Sequence, residues 1–235
     1  MDRDIEENVA RLRGELAEAA LASGRRPEEV LLVAATKCND ADRVRRAIAA
    51  GVDACGENRV QELLQKQAQG AYAGAPLHFI GRLQKNKARQ VVGLCSLIHS
   101  VDSVALLQEI DRCAAKRGLT QDVLLEINVA REESKAGFAP EALNEALEAA
   151  ALLPSVRVRG LMAIPPICVS GDENRPFFTK MKQLFVDIGE KKYDNISMDF
   201  LSMGMSGDYL AAVACGANMV RIGSAIFGPR VYPTR

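Results

Sequence analysis

A chain of 235 residues is long enough for one large domain, and α/β barrels often reach this size undivided. Thirty Lys and Arg balance thirty Asp and Glu, so there is no general electrostatic case for a nucleic-acid partner or an anionic membrane. No apolar run reaches membrane-spanning length, Met1–Asp4 lacks signal-peptide character, and two histidines with six scattered cysteines argue against zinc and disulfides; the expectation is a soluble cytoplasmic protein.

Residues 3–22 carry Ile5, Val9, Leu12, Leu16, Ala19 and Ala20 close to a 3.6-residue period, which predicts an amphipathic helix. Strands and helices then alternate. Strand 30–36 precedes helix 40–50, strand 53–55 precedes helix 59–69, and strand 77–80 precedes helix 85–92. The pattern continues with strand 97–99 and helix 103–116, strand 122–127 and helix 140–152, and strand 156–163 and helix 175–191. Strand 196–201, helix 206–214 and strand 219–222 complete it, with the last helix undefined beyond Ile226. Such alternation implies right-handed crossovers and a parallel sheet, and eight steps suggest closure into a (β/α)₈ barrel spanning 1–235 as one domain. No GxGxxG follows any strand, which disfavours an open doubly wound sheet.

In a barrel, function gathers at the carboxyl ends of the strands. Lys37 ends the first strand, Gly56-Glu57-Asn58 follows the second, and Gly81–Lys87 follows the third. Asn128 ends the fifth, Met162–Pro166 the sixth, Ser202–Asp208 follows the seventh, and Arg221–Ser224 closes the eighth. A lysine at the end of a buried strand either snorkels to solvent or is partly desolvated, so that its neutral amine can attack a carbonyl. Ser202–Ser206 leading into a helix, with Gly223-Ser224 after the last strand, suggests a phosphate site at the usual barrel corner. Taken singly, Ser206 reads first as an N-cap and Gly223 as a tight turn; the two together at this corner favour phosphate. A nucleophilic lysine beside a phosphate cradle points to pyridoxal 5′-phosphate (PLP). Arg221 could then reach the pyridine nitrogen, where it would keep its proton, or else pair with Asp199 or Asp208.

Taken together, Thr36-Lys37, Gly56–Glu62, His78–Lys87, Glu132–Gly137, Gly160–Pro166, Leu201–Ser206 and Val220–Gly228 resemble the YggS/PROSC family of pyridoxal phosphate homeostasis proteins over nearly the whole chain. The resemblance implies a barrel like the N-terminal domain of alanine racemase (fold type III), with PLP on Lys37 as a Schiff base. It further implies that Ser202, Ser206, Gly223 and Ser224 bind the phosphate, that Arg221 faces the pyridine nitrogen, and that Asn58 lies near the ring. Met162 and Met203, within the same motifs, complete the expected cofactor-binding set. Where the family often reads Ser-Lys-Thr-Lys-Pro, this chain has Thr36-Lys37-Cys38-Asn39-Asp40, so the mouth of the site is less basic. Cys38 reads as a small packed residue or as a redox-sensitive neighbour of the lysine.

Racemases of this fold need a second acid/base opposite the lysine, usually a tyrosine. Tyr72, Tyr193, Tyr209 and Tyr232 all lie outside the strand-end motifs. The expected function is therefore a non-catalytic PLP carrier in vitamin B6 homeostasis, a monomer with PLP-dependent apoenzymes as candidate acceptors. The alternatives are a weak PLP-dependent racemase or lyase, and a cofactor-free Schiff-base aldolase. Lys85, Lys87 and Lys135 read as a basic rim or as ordinary solvated charge.

Overall fold

A computed structural model describes residues 4–132, 134–166 and 170–229. Residue 3 of the expected first helix, Glu133, Cys168 and Tyr232 lie outside these. Eight parallel strands close into a barrel in sequence order: β1 Leu31–Ala35, β2 Ala54–Glu57, β3 Leu77–Phe79, β4 Leu97–Val101, β5 Gln121–Glu126, β6 Val156–Met162, β7 Ile196–Ser202 and β8 Met219–Ile222. β1 pairs with both β2 and β8, which seals the ring. The helices are α1 Ile5–Ala22, α2 Ala41–Ala49, α3 Val60–Ala68, α4 Ala88–Val91, α5 Val104–Ala115, α6 Leu143–Ala151, α7 Arg175–Gly189, α8 Tyr209–Ala214 and α9 Ser224–Phe227. Among the described residues no helix is long and apolar enough to cross a membrane.

Each strand alternates between two environments, as a two-residue side-chain period requires. In β1, Leu32 and Ala34 pack outward against α1, whereas Val33 joins Ala54, Leu97, Leu124, Met162 and Met219 inside the barrel. In β8, Val220 and Ile222 face outward and Arg221, paired in register with Val33, faces inward. Lys37 continues the inward parity of Val33 and Ala35, so the alternation carries it to the barrel mouth. Gly160 marks an irregularity where β6 crosses β7: its φ is +145°, and a Cβ there would lie 1.9 Å from the Phe200 carbonyl oxygen.

The N-terminal helix supplies part of the outer wall. α9 is a single turn and cannot cover β1 and β8 by itself. The apolar stripe of α1 (Ile5, Val9, Leu12, Leu16, Ala20) packs there with Leu32, Val220, Ile226 and Phe227. Asn8 Nδ2 donates to the Ile226 carbonyl at 3.0 Å, and the Tyr209 hydroxyl donates to Glu15.

Three expected helices differ in their starts. The helix expected over 85–92 is a 3₁₀ turn, Lys85–Lys87, followed by the short α4, and the one expected over 140–152 also opens with a 3₁₀ turn at Pro140–Ala142. Ser206 is not the N-cap of α8, which begins only at Tyr209. Asp208 accepts the Met205 N–H at 2.6 Å and closes a turn over that stretch instead.

Candidate functional site

A cleft of about 650 Å³ opens at the carboxyl ends of the strands. Lys37, Cys38, Asn39 and Asp40 line it after β1, Asn58 after β2, Ile80 after β3, Ile164 after β6, Ser206 and Gly207 after β7, and Arg221, Gly223 and Ser224 at β8. Residues 58 and 80 are brought together by Gly81, where a Cβ would meet the Asn58 carbonyl oxygen at 2.2 Å. Only glycine permits that approach. Asn58 is half-buried, and its amide oxygen is enclosed without a hydrogen-bond partner.

Lys37 is half-buried directly after the fully buried Thr36. Cys38 is exposed on the cleft wall with a left-handed φ of 62°, so it is not a packed residue. Across the cleft, the Gly223 and Ala225 N–H groups both donate to Ser206 Oγ at 3.3 Å, which places a hydroxyl and two backbone donors in one small concavity. Sequence reasoning missed Arg43. It lines the same cleft from the first turn of α2, where Asp40 caps the helix, and donates to Asn39 Oδ1 at 3.0 Å and to the Phe227 carbonyl.

Arg221 is 4% exposed. Its guanidinium donates to Ser202 Oγ at 2.6 Å and to the Ala163 carbonyl at 3.0 Å. It forms no ion pair with Asp199, which binds Arg159, or with Asp208, which holds the Met205 turn and Asn174. Burial lowers its pKa to about 10, opposed by the fields of Glu126 and Asp208, so it remains a cation at neutral pH.

Of the nine residues expected to contact a cofactor, six line the cleft: Lys37, Asn58, Ser206, Arg221, Gly223 and Ser224. The other three do not. Met162 points into the barrel interior, and Met203 packs outward with Leu201 because strand parity turns it from the mouth. Ser202 is fully buried beneath Arg221, with its hydroxyl hydrogen-bonded to His99 Nδ1 at 3.0 Å. His99 Nε2 in turn shares a hydrogen bond with His78 Nδ1 at 3.0 Å. Burial lowers the His78 pKa to about 4; burial, then His78 and Arg221, hold His99 well below its ordinary value. Both imidazoles are therefore neutral. The neighbouring Glu126 is pushed up to about 7 by burial and then by Asp102, against Arg221 and Arg82.

No described tyrosine lines the cleft: Tyr72 is buried elsewhere, Tyr209 binds Glu15, and Tyr193 packs against the outer core. Lys85 lines a separate hollow with Arg82 and Asp102, Lys87 is half-buried outside the cleft, and Lys135 pairs with Glu132 at 2.8 Å while donating to the Pro165 carbonyl at 3.1 Å. These lysines do not form one rim around Lys37. Among the described residues no group of three His, Cys, Asp or Glu could hold a metal ion.

Comparisons with known proteins give the family and the fold. The family model "Alanine racemase, N-terminal domain" matches residues 5–231. A pyridoxal phosphate homeostasis protein from Pseudomonas aeruginosa is 41% identical over 97% of this chain and 96% of its own, and one from Aquifex aeolicus is 40% identical over 96% and 98%. The chain belongs to the pyridoxal phosphate homeostasis protein family. PipY of Synechococcus elongatus, solved without PLP, is 35% identical with a TM-score of 0.85, covering 96% of this chain and all of that one; PipY with PLP bound gives 0.82. Alanine racemase of Clostridium difficile, 17% identical with a TM-score of 0.69 over 98% of this chain and 56% of that one, shares the fold.

Proposed function

We propose that this protein binds pyridoxal 5′-phosphate covalently at Lys37 and serves as a non-catalytic carrier in vitamin B6 homeostasis. The observation that carries the reading is the placing of Lys37 and Arg221 in one cleft with the Ser206–Gly223–Ser224 concavity, in a chain of this family. When bound, the cofactor supplies an aldehyde that condenses reversibly with a primary amine.

The residues present fit the group. Lys37 Nζ supplies the amine. The Ser206 hydroxyl, held by the Gly223 and Ala225 N–H groups, and the Ser224 hydroxyl offer donors suited to a phosphate, and Arg43 adds positive charge on the same wall. Asn58 lines the cleft after β2, and its amide oxygen is enclosed without a partner. Arg221, which keeps its own proton, would donate to the pyridine nitrogen and so would withhold the positive charge that carbanion chemistry requires there. Ser202 acts from beneath Arg221 and not on the phosphate, while Met162 and Met203 support the floor and the outer wall.

A racemase must deliver a proton from the face opposite its lysine. Neither tyrosine nor histidine lines the cleft among the described residues, which supports carriage over turnover. Six cysteines scattered without a CxxC pair suit a reducing cytosol, and a monomer that delivers PLP to apoenzymes completes the reading.

The visible spectrum of the protein with added PLP, followed by borohydride reduction and peptide mapping, tests the reading. A pyridoxyl adduct on Lys37 that Lys37→Ala abolishes is the expected result. A protein that cannot be loaded would overturn the reading in favour of the aldolase class. Amino-acid turnover abolished by the same substitution would favour the racemase or lyase.

A further inference from the structure

Charged side chains that do not line the cleft hold the backbone on both sides of Lys37. Glu57 ends β2 with no exposure, and Lys66, near the end of α3, lies 2.6 Å from Glu57 Oε1. The Lys66 ammonium also donates to the Thr36 carbonyl at 2.7 Å, and the Thr36 hydroxyl donates to that same Glu57 oxygen at 2.8 Å. The other Glu57 oxygen accepts the Asn58 N–H at 3.2 Å. One turn before Lys66, Glu62 Oε2 accepts the Cys38 N–H at 2.9 Å and lies 3.7 Å from the Lys66 ammonium. Thr36, Cys38 and Asn58 are thus tied to a single charged cluster.

Stability alone is a weak reason for such a cluster, because a buried ion pair can often be replaced by apolar residues without loss. Its contacts suggest another reason. A left-handed φ at a non-glycine residue is uncommon, and Cys38 adopts one where Glu62 receives its N–H. Three separate hydrogen bonds converge on the two residues flanking Lys37, and a fourth fixes Asn58, which follows β2 in the same cleft.

We infer that Glu57, Glu62 and Lys66 are positioning residues for Lys37, fixing the direction in which its side chain enters the cleft. This rests on the assignment of Lys37 as the point of PLP attachment. In that step Nζ bonds to the aldehyde carbon and the carbonyl oxygen leaves as water, so its rate depends on how the amine is presented.

The test uses the full chain and free pyridoxal 5′-phosphate, following attachment by stopped-flow absorbance with borohydride trapping and peptide mass mapping. Glu62 is at the edge of the cluster, so Glu62→Ala is expected to fold with a near-native melting temperature yet attach PLP about tenfold more slowly. Glu62→Gln keeps an oxygen for the Cys38 N–H and is expected to restore the rate. A Glu57→Gln/Lys66→Met double variant leaves no buried charge unpaired and is expected to show the same slowing. Wild-type rates in Glu62→Ala and in the double variant, or a glutamine no better than alanine, would overturn the positioning role while the PLP assignment stands. Failure of the wild type itself to form an adduct at Lys37 would overturn both.

Discussion

Two polar chains run beneath the cleft, and they differ in how they treat positive charge. Below Lys37, the Lys66 ammonium is spent on Glu57 and the Thr36 carbonyl. Below Arg221, the hydrogen-bond partners are Ser202, then His99, then His78, all of them neutral. The carboxylates of Glu126 and Asp208 act on Arg221 only through their field. The first chain therefore contributes geometry, and the second leaves a cation directed at the cleft. A buried charge with a close counter-charge mainly fixes backbone, whereas one with neutral partners still acts electrostatically on a ligand.

Breaking the charged chain on one side should have the largest effect. Lys66→Ala strands Glu57 in a fully buried site and is expected to cost about 3–5 kcal/mol in urea unfolding. An unchanged unfolding midpoint would mean that water reaches Glu57 and that the two chains are less different than drawn here.

The neutral chain has a pH signature. His78 titrates near 4 against an ordinary 6.5, so its contribution to stability is complete above pH 6.5 and is lost as pH falls toward 4. Glu126 titrates near 7 against an ordinary 4.5, so its contribution is complete below pH 4.5 and is lost as pH rises through 7. The Glu126 slope offsets one histidine between these limits, and His99, also held well below its ordinary value, leaves wild-type stability falling as pH falls. Removing the opposing group with Glu126→Gln should steepen that fall, with His78 alone accounting for about 3 kcal/mol lost between pH 6.5 and 4. A flat profile in that variant would show that the imidazoles are not held neutral.

The smallest effect belongs to the link itself. Ser202→Ala removes the hydroxyl shared by Arg221 and His99 and should cost about 1–3 kcal/mol of stability. It should weaken PLP binding while still allowing attachment at Lys37. Loss of attachment would instead place Ser202 on the phosphate, as family resemblance implies.

Much of this was legible in the chain. The strand–helix alternation gave the barrel because each strand is a short apolar run and each helix carries its own period. Lys37, Arg221 and the Gly223-Ser224 pair were legible because strand ends in a barrel converge on one mouth. Met203 lies off the cleft because a motif names neighbours in sequence while strand parity turns that side chain outward, and Ser202 faces inward but is buried beneath Arg221. Arg43 escaped notice because an arginine in a helical first turn usually faces solvent, and only the approach of Phe227 makes it part of a wall.

The sequence by itself determined the order of strands, the class of fold and the residues carried to the mouth, since periodicity and apolar run length are local properties. The tertiary structure decided what those residues touch. Glu57, Lys66 and Thr36 meet only because β1 lies beside β2 and α3 folds back over both; α1 becomes part of the wall only because α9 is one turn long. Such contacts join positions far apart along the chain, and closing the barrel is what brings them within hydrogen-bonding distance.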